Sequence, residues 1–183
     1  MRALMLALLT TAAPFTGTVL RNPIPAPPIT LTDQYDRTFS LAAQRGRVVL
    51  VFFGYTHCPD VCPATMAQLA RMYRTLPAAS RRRVEIAFVT VDAERDSPAT
   101  LGRYVALFDA HFIGLTGSLG ALDSIYREYH VWHQRMPGSV ATGYLVAHGG
   151  DIYVIDPQGR LRIRHNWQDD AAAIGHDVQA LLR

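Results

Sequence analysis

Apolar positions along the chain change period as they go, and the changes mark out its elements. Residues 48–53 (VVLVFF) form a short unbroken apolar run, the pattern of a strand buried on both faces of a parallel sheet. Downstream of Pro63, Met66, Leu69, Ala70, Tyr73 and Leu76 recur at helical spacing and make one stripe of an amphipathic helix. Residues 84–91 (VEIAFVTV) read as the next strand. Ser97-Pro98 is a helix start, Ser as N-cap and Pro as first helical residue, and the helix is expected to run to about Phe108. A short strand at 112–115 and a helix at 118–129 follow. Then 144–147, 151–156 and 161–164 read as three strands, the last two joined by the turn residues Asp156-Pro157-Gln158-Gly159. A helix over 169–182 closes the chain. Strand–helix alternation, a late hairpin and a final helix predict an α/β fold: a mixed sheet with helices on both faces.

The amino-terminal part follows neither period. Arg2 precedes an uncharged stretch to Leu20, strongly apolar over residues 3–9, and Thr10-Thr11-Ala12-Ala13 supplies small residues of the kind a signal peptidase accepts. Residues 1–20 therefore read as a signal peptide or, if uncleaved, a membrane anchor. Export is the expectation, to the periplasm or the outer face of the cytoplasmic membrane. Residues 21–27 hold Pro23, Pro25 and Pro27 and read as an extended Pro-rich linker, with the domain at 28–183.

Composition narrows the class. At 183 residues and 49% hydrophobic content the chain carries material for one packed core, which excludes global disorder. The formal net charge is +3, and every basic residue is Arg. Only Arg81-Arg82-Arg83 concentrates that charge, and no aromatics are interleaved with it, so the stacking-plus-phosphate pattern of a nucleic-acid surface is missing.

The two cysteines lie where the first apolar strand hands over to its helix, in Gly54-Tyr55-Thr56-His57-Cys58-Pro59-Asp60-Val61-Cys62-Pro63. Unpaired N–H groups and the helix dipole stabilise negative charge there and lower a thiol's pKa. Residues four apart on a helix share a face, so both sulfurs can address one atom. Their Cα atoms would lie roughly 6 Å apart, inside the disulfide window. Such a pair can hold a soft metal when reduced or close into a disulfide when oxidised.

The run GYTHCPDVCP resembles the signature of the Sco/SenC family, thioredoxin-like copper proteins of the mitochondrial inner membrane and bacterial cell envelope. Val89-Thr90-Val91-Asp92 with Arg95-Asp96-Ser97-Pro98, Gly114-Leu115-Thr116-Gly117, and Tyr153-Val154-Ile155-Asp156-Pro157-Gln158-Gly159 agree in order and spacing. The resemblance implies a thioredoxin-like fold and copper, Cu(I) or Cu(II), bound by two thiolates and a distant histidine just before the YxIDPxG strand. Here those are Cys58, Cys62 and His148. Thiolates suit Cu(I) and an added imidazole makes Cu(II) tolerable, so the chemistry agrees with the set. Relatives usually carry Asp before this histidine and a hydroxyl residue after it; this chain has Ala147 and Gly149.

The implied function is a metallochaperone rather than an enzyme, delivering copper to, or reducing the cysteines of, the binuclear copper site of cytochrome c oxidase. Its partners would be the copper-site subunit of that oxidase and other copper or thiol redox proteins. The alternative is an extracytoplasmic thiol–disulfide oxidoreductase using the CxxxC pair. A zinc site of the Cys₂His type would call for a general base, and no such motif is visible. A thiol peroxidase or copper-responsive sensor has no specific support in the sequence. Among the other histidines, His57 adjoins Cys58 and is either a modulator or a cleft wall. His130 and His133 read as an exposed helix end, and His111, His165 and His176 as surface or packing residues. Asp92 and Asp96, in the loop after a strand, read as a docking surface or as helix caps.

Overall fold

The computed structural model describes residues 15–139 and 143–183. In chain order it contains strands β1 (Thr18–Pro25), β2 (Thr30–Asp33) and β3 (Thr38–Ser40), a 3-10 turn (Leu41–Gln44), strand β4 (Val48–Gly54), helix α1 (Val61–Thr75) and the short helix α2 (Ala78–Arg81). Strand β5 (Val84–Thr90), helix α3 (Pro98–Ala106), strand β6 (Ile113–Thr116) and helix α4 (Leu119–Glu128) follow. The rest is β7 (His133–Pro137), β8 (Tyr144–His148), β9 (Asp151–Ile155), β10 (Arg160–Asn166) and helix α5 (Ala171–Leu181).

Eight strands form one mixed sheet in the order β1-β10-β9-β4-β5-β6-β2-β3. The middle strands β4, β5 and β6 run parallel, and the flanking pairs are antiparallel. Every residue of β4 and β5 is buried, as unbroken apolar runs demand of strands covered on both faces. Alternate residues of β4 show which helices do the covering. Phe53 meets the rings of Tyr126 and Tyr129 at the end of α4, while Phe52 meets Phe88, which packs on Tyr104 of α3. A Cβ on Gly54 would strike Cys62 of α1, so α1 lies on the Phe52 face. Ser97, Ser118 and Asp170 cap α3, α4 and α5, each accepting a backbone N–H from the first turn.

Two expectations need correction. The segment read as a linker is extended but belongs to the fold: β1 pairs with β10 from Thr18↔Arg164 to Pro25↔Arg160. An edge strand tolerates proline because its outward N–H has no partner to lose, and a register shift between Val19 and Ile24 absorbs the misfit. Ahead of it, the N–H groups of Thr16 and Gly17 donate to the buried Asp177 carboxylate at 2.9–3.0 Å. The folded unit thus starts near residue 16 rather than 28. Residues 1–14, which hold most of the expected leader, lie outside the described residues. No helix among the described residues is long and apolar enough to cross a membrane.

The second correction concerns 144–147, which does not join the main sheet. As β8 it pairs only with β7 in a separate two-stranded ribbon, a strand the hydrophobic pattern missed because all five residues of β7 are exposed. Of the two readings given for His165, surface or packing, the structure selects packing. The side chain is fully buried, with Nδ1 2.8 Å from Asp169 and Nε2 3.2 Å from Asp177, the latter close enough for an ion pair but without hydrogen-bond alignment.

Candidate metal centre

Strand β4 delivers the chain to the carboxyl end of the sheet, where a turn leads into α1. Cys62 is the second residue of the helix and fully buried; Cys58 stands before the helix in the turn and is half-exposed. The cysteines therefore do not share a helix face as the spacing suggested. They meet because the turn folds back, with the Cys58 N–H donating to the Tyr55 carbonyl at 3.3 Å and the Cys62 N–H donating to the Cys58 sulfur at 3.4 Å. Gly54 makes room for this: a Cβ there would lie 2.9 Å from the Cys62 sulfur and 2.8 Å from the Phe88 ring. Asp96, wholly buried, braces the turn from behind. Its carboxylate accepts from the Thr56 N–H (3.1 Å), the Thr56 hydroxyl (2.6 Å) and the Thr90 hydroxyl (2.6 Å). Burial raises the Asp96 carboxyl above its ordinary value, a rise those two hydroxyls partly offset.

His148 arrives on the last residue of β8. Its ring stands edge-on to Tyr55 and Phe52, with centroids at 5.8 and 6.3 Å. Nδ1 lies 2.7 Å from the Gly149 carbonyl, which can only accept, so that nitrogen carries the proton. Nε2 faces the Cys62 sulfur at 3.2 Å. Many metal-bound histidines take this orienting bond from a carboxylate; with Ala147 ahead of His148, a backbone carbonyl supplies it here.

The two thiols are electrostatically unlike. A hydrogen bond with the Cys62 side chain, followed by those with His148 and the Asp60 and Cys62 backbone, outweighs burial and brings Cys58 down from 9.0 to about 4. Burial, then the neighbouring Cys58 charge, pushes the Cys62 thiol far up. The pair is thus asymmetric, with negative charge favoured on Cys58 over Cys62. The three ligand atoms of Cys58, Cys62 and His148 lie within 4.8 Å of one another, the only such group among the described residues. Two soft sulfurs and an imidazole suit Cu(I), with Cu(II) tolerated.

A family model described as SCO1/SenC matches residues 21–183. The chain belongs to the SCO1/SenC family. Among relatives of this SCO1/SenC chain, the mitochondrial SCO2 homolog of Bos taurus is 38% identical over 130 residues, 70% of this chain and 49% of the relative. The chain spans about half the length of the mitochondrial relatives it matches. The solution structure of apo Sco1 from Thermus thermophilus superimposes with a TM-score of 0.81 at 37% identity, covering 92% of this chain and 98% of that one. The copper-bound structure of ScoI from Bradyrhizobium japonicum gives 0.75 at 31% identity, covering 87% and 100%. These neighbours establish the thioredoxin-like Sco fold.

Other residues of this SCO1/SenC chain fall into place around the centre. His57 is not part of the converging ligand group; its Nδ1 lies 3.0 Å from the Thr56 hydroxyl and 4.0 Å from Asp96. Asp92 and Asp96 are buried and neither caps α3, since Ser97 does, so the docking and capping readings both fail. His130 sits past α4 in the left-handed region (φ 55°), and His133 starts β7 with its ring on Tyr126 at 4.6 Å; they are not a ligand pair. The bracing role of Asp96 was missed because its partners are 40 and 6 residues away.

Proposed function

We propose that this SCO1/SenC chain is a copper metallochaperone, carrying Cu(I) or Cu(II) as cargo on Cys58, Cys62 and His148. The observation that carries the reading is the convergence of two sulfurs and a correctly oriented imidazole nitrogen at the rim of the sheet. The client implied by the family resemblance is the copper-site subunit of cytochrome c oxidase. The leader-like residues 1–20 support action outside the cytoplasm, on the periplasmic side of the membrane. Half-exposed Cys58 is the natural entry point, and buried Cys62 with His148 completes the set. Only the imidazole distinguishes the Cu(II) form, since two thiolates satisfy the low coordination of Cu(I).

The test is to reduce the full chain, load Cu(I) and Cu(II) separately, and measure stoichiometry against a competing chelator. One equivalent of each, with a sulfur-to-copper charge-transfer band in the Cu(II) form, is the expected result. No retained copper in either state contradicts it.

A second activity is favoured by the thiol asymmetry. Cys58 as thiolate can attack a client disulfide, expelling one client sulfur and forming a mixed disulfide. The Cys62 thiol, giving up its proton as it reacts, then displaces the second client sulfur. The client leaves as a dithiol and the pair becomes a Cys58–Cys62 disulfide, two electrons having moved. Turnover of a model disulfide at stoichiometry no greater than one, and none in Cys58→Ser, would demonstrate it.

A further inference from the structure

His148 is carried by an arm outside the main sheet, so something must hold that arm against the thiols. Strand β8 alternates: Tyr144, Val146 and His148 share one face, Leu145 and Ala147 the other. Val146 is buried and His148 lies on the Cys62 sulfur. At the far end, the Tyr144 ring is held between two guanidinium groups, Arg95 at 3.6 Å from its centroid and Arg135 at 3.8 Å. Each cation has its own carboxylate: Arg95 bonds Asp92, and Arg135 donates to Glu94 at 2.6 Å. The Tyr144 hydroxyl donates to Asp92 at 2.6 Å, and Arg95 also donates to the Tyr144 carbonyl at 3.0 Å. Asp92 and Arg95 belong to the loop after β5, so this cluster joins arm to core.

We propose that Tyr144 is a positioning residue for the third ligand: gripped by Arg95, Arg135 and Asp92, it clasps the β7–β8 arm to the loop after β5 and thereby seats His148 on Cys62. The inference rests on the copper reading for its functional meaning, though not for its geometry. Its physical basis is leverage. One end of β8 runs into Gly149-Gly150, where a Cβ on Gly149 would meet nothing within 4 Å while one on Gly150 would lie 2.5 Å from the Trp167 ring. At the other end, the Gly143 N–H donates to the Ser139 carbonyl at 2.8 Å, which ties β8 back to β7. Between them β8 pairs only with exposed β7, whose own footholds are the His133 ring against Tyr126 and the Arg135–Glu94 ion pair. Paired cation–π contacts on a shielded ring, together with a hydrogen bond to a buried carboxylate, are strong enough to decide whether such an arm docks.

The test begins without metal. In the reduced apo protein, Cys62 is buried under His148, so its alkylation reports arm opening; mass spectrometry separates its modification from that of Cys58. Tyr144→Leu removes both ring contacts and the hydroxyl, and should raise the Cys62 rate about tenfold with the thermal transition still cooperative. Tyr144→Phe keeps the ring and should restore most of the protection. Arg135→Leu strips only the outer face of the ring, from an exposed position, and should act in the same direction with a smaller effect. In the loaded protein, Tyr144→Leu should weaken the nitrogen hyperfine structure of Cu(II) while Cu(I) stays bound. Unchanged Cys62 rates in Tyr144→Leu and Arg135→Leu overturn the clasp, as does a Tyr144→Phe protein as open as Tyr144→Leu. If the wild type binds no copper, the copper reading fails, and the alkylation rates still decide the clasp.

Discussion

Cys62 and His148 meet at 3.2 Å, yet they come from regions built in opposite ways. The sulfur side hangs from β4 and α1. Its strand is buried along its whole length, its turn is braced by a carboxylate with no exposure, and Gly54 leaves just the space the sulfur fills. The imidazole side hangs from a two-stranded arm, one strand of which is wholly exposed, held by a polar clasp. The contrast suits a carrier. In the proposed carrier, a fixed thiol pair would keep hold of Cu(I), and a donor on a separately mounted arm would serve the Cu(II) form.

Removing either sulfur should have the largest effect. Cys58→Ser and Cys62→Ser should each abolish retention of Cu(I) against a chelator while circular dichroism shows the fold intact; a single variant that still held one equivalent would place the rigid ligands elsewhere. Next comes the reactivity of Cys58. A group whose pKa falls from 9.0 to about 4 is charged throughout the neutral range, so its alkylation rate should be level from pH 6 to 8 and fall only as the pH drops through about 4. A midpoint near 9 would mean that the Cys62 and His148 contacts do not stabilise the thiolate. In His148→Ala the midpoint should rise, since one of the stabilising hydrogen bonds is gone.

Smaller, and confined to the rigid side, is the effect of Asp96. Asp96→Ala leaves the Thr56 and Thr90 hydroxyls without their acceptor and should cost about 2 kcal/mol by urea titration. Cu(I) affinity should fall with it as the turn loosens, whereas β7–β8 amide exchange should not change. Faster exchange in the arm would show that the two regions are one cooperative unit and weaken the contrast drawn above.

How much of this could be read from the amino-acid order follows the same divide. The rigid side was legible because burial imposes period: VVLVFF had to be a covered strand, and the stripe Met66, Leu69, Ala70 and Tyr73 had to be a helix. The cysteine run and the position of His148 stood out by resemblance. The arm was half legible, since β8 has apolar alternation and β7 has none. Strand β1 was lost to its prolines, which an edge strand accepts and a central one does not. The buried polar groups left no local signal at all. His165 finds Asp169 four residues on, but Asp177 comes from a helix, and Asp96 braces a turn forty residues away.

The central claim is that thiols from the core and an imidazole from the arm form one copper site, with the imidazole needed chiefly for Cu(II). The most direct measurement is to load His148→Ala and wild-type full-length protein in parallel with Cu(I) and with Cu(II), following chelator competition, the sulfur-to-copper band and the spin-resonance spectrum. The account predicts that Cu(I) stays bound at one equivalent in the variant, while the Cu(II) band and its nitrogen hyperfine structure weaken or vanish. A variant whose Cu(II) signals match the wild type would contradict it, and would mean that the nitrogen donor is some residue other than His148.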